Sequence, residues 1–129
     1  MRSNHFLIIA ALLGMLAVIL GAFGAHGLEK LLDAHMLKRF HTGVEYQFYH
    51  CAALLAVGLL WERQQNRWLA VSGYAFSIGV LLFSGSLYLY AITGITAITG
   101  ITAIAMITPF GGMAFIIGWL CLLRYLLKH

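Results

Sequence analysis

"WLAVSGYAFSIGVLLFSGSLYLYAITGITAITGITAIAMITPFGGMAFIIGWLCLL", residues 68–123, contains no Asp, Glu, Lys, Arg or His. Arg67 and Arg124 bracket these 56 residues. A helix that crosses a bilayer needs about 20 apolar residues. The run therefore holds two membrane spans and the connection that returns the chain. Upstream, the same criterion gives two more spans, so the expected set is 5–25, 41–62, 68–90 and 106–125. They leave no room for a separate soluble domain, and residues 1–129 read as a single transmembrane domain.

Composition agrees with that layout. The chain is 62% hydrophobic and only 9% charged, against about 25% charged in soluble domains. Its net charge of +4 comes from Lys and Arg scattered near span ends, without the clustered basic face that nucleic-acid binding requires. Cys51 and Cys121 fall inside spans and read as free thiols that pack as small apolar residues. The start, "MRSNHFLIIAALLGMLAVILGAFGAHG", has the basic, apolar and small-residue order of a signal peptide. Its apolar run is long enough to span, so retention as helix one is the expectation.

Between spans one and two, "HGLEKLLDAHMLKRF" alternates Leu28, Leu31, Leu32, Met36, Leu37 and Phe40 with charged residues. This is a short amphipathic segment suited to the membrane interface. Asp33 is placed to cap the helix that follows, because its carboxylate can accept first-turn amides. Arg2, Arg63, Arg67, Arg124 and Lys128 gather on one side, Lys30, Lys38 and Arg39 on the other. The positive-inside rule then puts both termini in the cytoplasm.

Two further patterns concern packing. "ITGITA" at 92–97 repeats at 98–103; two copies are too few for a repeat architecture, so the pattern reads as a tandem duplication lengthening the outer connection. Small residues recur every fourth position: Ala17, Gly21 and Ala25, then Gly73 and Ser77, then Ala114 and Gly118. In lipid that spacing lets helix backbones approach closely. Pro109 is placed to start or kink span four.

Four segments in register, "LGAFGAHGL", "HTGVEYQFYHCAALL", "LFSGSLYLYAITG" and "ITPFGGMAFIIGW", carry a resemblance over nearly the whole chain. The chain resembles the YgdD/YwdK-like family of small bacterial inner-membrane proteins, a family of unknown function with small transmembrane relatives in eukaryotes. The resemblance implies four transmembrane helices in a bacterial cytoplasmic membrane. It supplies no activity, substrate or catalytic residue. The second "ITGITA" unit departs from the pattern of most relatives.

The polar residues of helix two are the candidate site. At about 100° per residue, His41, Glu45, Tyr49, Thr42, Tyr46 and His50 fill about half the helix circumference, with Gln47 and Phe48 outside that arc. The stripe is expected to face the other helices. With the lipid boundary near His41, Glu45 lies ~6 Å deep and His50 ~13 Å deep. Glu45 is expected either to stay ionised beside protonated His41 or His26, or to be neutral beside Tyr46, Tyr49, Ser84 or Ser86.

Three chemistries compete for this cluster. Hydrogen bonding between helices is the expected role, as such bonds hold membrane bundles together. A proton or small-ligand site using Glu45 and His50 is the alternative, since intramembrane ionisable groups are commonly functional. A metal set of His26, Glu45 and His50, with or without His41, has no supporting motif, and Glu45 and His50 lie ~140° apart on a helix. His26 ends span one, where a cation suits the negative end of the helix. Ser84, Ser86 and His50 could serve an intramembrane enzyme, but no spacing ties them together.

The sequence thus gives an all-α integral membrane four-helix bundle with a short amphipathic segment between helices one and two. No catalytic residue, cofactor or metal is expected. The expected partners are the lipid bilayer and a second copy or another membrane protein, with no nucleic acid. The expected function is non-enzymatic, through helix packing with itself or membrane partners. A proton-coupled transporter or lipid or small-ligand binder is the alternative.

Overall fold

The computed structural model describes residues 4–93 and 101–128, with the side chains of 25, 92–93 and 101–106 left aside. Four helices account for nearly all of it: α1 (His5–His26), α2 (Ala34–Arg63), α3 and α4 (Ile101–Lys128). α3 runs through three parts, Arg67–Gly79, a π-helical turn Val80–Ser84, and Gly85–Thr93. α1 packs on α2, α2 on α3 and α3 on α4, an antiparallel up-and-down arrangement. Most of the repeat at 92–103, including residues 94–100, lies outside the described part.

Local chemistry sets the helix starts. The Asn4 carboxamide accepts from the amides of Phe6 and Leu7, and Asp33 accepts from Met36 at 2.8 Å, as its position implied. Asn66 caps α3 through the Trp68 amide. Each cap satisfies amides that the first helical turn leaves open. The connection holds one 3-10 turn, Leu28–Lys30, before the Asp33 cap, and Met36 to Phe40 belong to α2, which starts where that cap implied. Leu28 and Leu32 turn inward there, while Leu31 is exposed. Pro109 lies inside α4 and does not start it.

The start of α1 and the end of α4 sit at one end of the bundle. Asn4 Nδ2 donates to the Gly58 carbonyl near the end of α2, and the Tyr125 hydroxyl of α4 donates to Gln64. A large core cluster fills this half, with Phe6, Leu54, Val57, Leu69, Phe76, Phe115 and Tyr125. A smaller one of Leu28, Leu32, Phe40, Val44 and Ala91 fills the other end.

Among the described residues, three helical segments are long and apolar enough to cross a membrane: His5–Gly24, Arg67–Ala91 and Ile107–Lys128. α2 is not among them, because Glu45, Gln47 and His50 interrupt its apolar run. Large apolar side chains face outward, including Leu12, Met15 and Ile19 on α1, Leu81 on α3, and Phe110, Met113 and Ile117 on α4. An apolar exterior of that extent suits lipid. Inside, contact depends on small residues. A Cβ on Gly118 would lie 2.6 Å from the Phe76 ring, and one on Gly73 would overlap Phe6. Ala17 is fully buried as its four-residue spacing implied; the side chain of Ala25 lies outside the described residues.

Candidate functional site

α2 has two polar faces, and they point in opposite directions. Its inward face runs through Phe40, Gly43, Val44, Gln47, His50, Leu54 and Val57. Its outward face carries Glu45, Tyr49, Ala52, Ala56 and Leu59, again at three- and four-residue intervals. The single inward stripe expected from sequence is therefore split. His50 is buried, His41 and Thr42 are half-buried, and Glu45, Tyr46 and Tyr49 are exposed. Gln47, placed outside that stripe, is only 3% exposed. The reason is position: α2 sits between α1 and α3, so its buried arc is set by two neighbours and is centred near Gly43, Val44 and Gln47.

The inward groups are all engaged. Gln47 Nε2 donates to the Leu13 carbonyl of α1 at 2.7 Å, while its Oε1 accepts from the Tyr88 hydroxyl of α3 at 2.6 Å. These two bonds fix the amide orientation and tie three helices together. Ser84 Oγ donates to the Gly43 carbonyl at 2.7 Å. Gly43 makes that approach possible, since a Cβ there would come within 2.7 Å of the Tyr88 ring. On α3, the π turn at Val80–Ser84 brings the Phe83 backbone onto Gly111 of α4, where a Cβ would lie 2.7 Å from Phe83 Cα.

His50 is fixed more tightly still. Its ring stacks on Phe115 with centroids 3.5 Å apart and planes 6° from parallel. The Trp119 indole N–H donates to His50 Nε2 at 3.1 Å, so Nε2 is an acceptor and carries no proton. Nδ1, 2.8 Å from the Tyr46 carbonyl, must then be the donor. The pair of bonds assigns the neutral Nδ1–H tautomer.

Glu45 has a different environment. Its carboxylate accepts one long bond, 3.4 Å, from the Tyr49 hydroxyl on the next turn of the same helix. Neither serine meets it: Ser84 is bonded to Gly43, and Ser86 bonds the Phe83 carbonyl and the Thr108 hydroxyl of α4. His26 is exposed in the last turn of α1. His41 lies near Gly24. The eight sequence candidates thus divide into His50, Ser84 and Ser86 inside, Glu45 and Tyr49 outside, Tyr46 partly exposed with its ring against Phe83 and Phe115, and His26 and His41 near the connection.

Sequence reasoning missed several of the contacts between helices. Ser72 of α3 donates to the Gly118 carbonyl at 2.7 Å, and Cys51 Sγ contacts the Ala10 carbonyl at 3.0 Å. Both follow one device, a short polar side chain reaching a carbonyl on the facing helix. Among the described residues, every buried side-chain nitrogen and oxygen has a partner. Among the same residues, no three of His, Cys, Asp and Glu converge as a metal set would.

A family model described as "Protein of unknown function (DUF423)" matches residues 20–112. The UPF0382 membrane protein YwdK of Bacillus subtilis is 40% identical over 125 residues, covering 96% of this chain and 97% of the relative. The chain belongs to the DUF423 family. A UPF0382 membrane protein of Haemophilus influenzae is 44% identical, covering 93% of this chain and 91% of its own. The inner membrane protein YgdD of Escherichia coli K12 is 38% identical, over 95% and 89% of the two chains. No solved structure matches. The resemblance carried by the four sequence segments is therefore confirmed, and with the three apolar spans it makes this DUF423 chain a membrane protein.

For this DUF423 member, the arrangement limits the chemistry. A serine nucleophile needs a base within hydrogen-bond reach, yet Ser84 and Ser86 donate to carbonyls and both His50 nitrogens are occupied. Proton exchange between Glu45 and His50 would have to cross from the outer face of α2 to the inner one.

Proposed function

We propose that this DUF423 protein is a non-enzymatic bacterial inner-membrane bundle that works by associating, through the outward face of α2, with a second copy of itself. One observation carries this reading: Glu45 and Tyr49 are exposed on the same stripe as Ala52 and Ala56. Ionisable groups in membrane helices almost always face protein or water. Small residues four apart are the usual seam of helix association in lipid. A second α2 stripe meets both needs, because its Tyr49 hydroxyl can donate to the facing carboxylate while the alanines let the backbones approach.

The same reading takes α2 as the fourth span, its inward polar groups being satisfied by α1, α3 and α4 and so costing little in lipid. It places both termini in the cytoplasm, supported by Arg63, Arg67, Arg124 and Lys128 at the end where α1 starts and α4 stops.

Energy transfer between two fluorescently labelled populations of the protein, reconstituted together in vesicles, tests the proposal. The wild type is expected to give efficient transfer, lost in Glu45→Gln/Ala52→Leu while helix content stays unchanged. Equal transfer in the variant would contradict it. The alternative, a transporter using Glu45 and His50, is less well supported, since these residues occupy opposite faces and His50 is fully bonded.

A further inference from the structure

At the end of the bundle opposite the start of α1, two clefts meet at Arg39. One, of about 280 Å³, is walled by Phe83 and Leu87 of α3 and by Pro109 and Gly112 of α4, and closed by Tyr90 and Arg39. The other, of about 240 Å³, is lined by His35, Lys38, Arg39 and Thr42 on the first turns of α2. The first is mainly apolar and lies among helices that face lipid; the second is cationic.

Arg39 joins them in a defined geometry. Its guanidinium lies over the Tyr90 ring, 4.7 Å from the centroid. Nε and Nη2 approach His35 Nε2 at 3.2 and 3.0 Å. A histidine nitrogen and a ring face hold the group without neutralising it, and among the described residues Nη1 has no hydrogen-bond partner. Asp33 and Glu45, the acids nearest along the chain, are each six residues away and turned about 120° round the helix, and among the described residues neither pairs with Arg39. A fixed, uncompensated arginine at the rim of an apolar cleft is complementary to one kind of molecule: a phosphate with a hydrocarbon chain attached.

We infer that this cleft is a binding site for an anionic phospholipid, with the phosphate at Arg39 and Lys38 and one acyl chain along Phe83, Leu87 and Gly112. The order along the helices suits a bilayer, since Arg39 lies in the second turn of α2 while Gly112 lies within the apolar Ile107–Lys128 span of α4. Arginine binds phosphate through directed N–H donors, and the chain gains packing contacts between α3 and α4. The cleft is too small for both chains of a lipid, so the second stays in the bilayer.

The test is thermal unfolding of the full-length protein in neutral detergent with three added probes: short-chain phosphatidylglycerol, short-chain phosphatidylcholine and glycerol phosphate. Binding to the folded state raises the unfolding midpoint. Phosphatidylglycerol alone is expected to raise it at low concentration. Arg39→Gln should weaken the apparent affinity about tenfold, the loss of one charge-assisted contact. Gly112→Val should do the same by filling the chain cleft. Its new Cβ would meet only Phe83 Cδ2, at 4.0 Å, so the fold has room for it. Lys128→Gln, at the opposite end, should leave the response unchanged. Equal stabilisation by phosphatidylcholine would overturn the inference, as would an equal effect of glycerol phosphate. An undiminished phosphatidylglycerol response in Gly112→Val would overturn it too, even if Arg39→Gln proved unstable.

Discussion

His50 and Trp119, 69 positions apart in sequence, share a hydrogen bond that fixes the charge state of a buried ionisable group on α2. The indole has only a proton to give, so His50 must accept through Nε2 and donate through Nδ1 to Tyr46. Protonating His50 would set two N–H groups against each other. His50 belongs to the polar cluster expected from sequence to bond between helices, and it is held as a neutral link between α2 and α4.

Nitrogen NMR on histidine-labelled protein in lipid should therefore show a His50 proton on Nδ1 and none on Nε2. Trp119→Phe removes the donor and should lower stability by about 0.6 kcal/mol, at most about 1.7, the range for hydrogen bonds between membrane helices. A signal from protonated Nε2 in the wild type would contradict the assignment.

Gln47 offers a second measurement. Because its two ends bond α1 and α3, Gln47→Leu and Tyr88→Phe should each destabilise the bundle, and the double variant should lose less than the sum. A coupling energy of about 0.6 kcal/mol is expected, from reversible unfolding in mixed micelles. Strict additivity would mean that the 2.6 Å contact carries no energy.

Gly118 tests the close packing of α3 on α4. Leucine there would drive atoms into the Phe76 ring, and overpacking of a well-filled core costs about 1–3 kcal/mol. The same change at Gly112, where a Cβ makes only an ordinary 4.0 Å contact with Phe83, should cost far less. Similar losses at both positions would show that the α3–α4 seam is looser than described.

Much of this fold was legible in the chain because its signals are long. Residues 68–123 could only be two spans, and the Asp33 cap follows from its place before an apolar helix. The candidate site was less legible. Periodicity gave the polar arc of α2, but not which part of it would meet α1 and α3. Phe40, Val44, Gln47 and Leu54 do form an apolar series interrupted by one amide, and that series marks the inward face better than the charged residues do. Trp119 and Ser72 were invisible as partners, since their bonds depend on the register of helices far apart in sequence. The π turn at Val80–Ser84 has no residue signature, yet it sets how Phe83 meets Gly111.

The central claim is that α2 turns Glu45, Tyr49, Ala52 and Ala56 toward a second copy. Its most direct test is oxidative crosslinking in native membranes of single cysteines placed along α2, α1 and α4, with Cys51 and Cys121 replaced by alanine. Dimers should form at positions 52, 56 and 59 and fall away at 54 and 57, which face the core. Cysteines at Ile19 and Met113 should stay monomeric. Crosslinking that is absent from 52 and 56, or equal on all outward faces, would contradict the account.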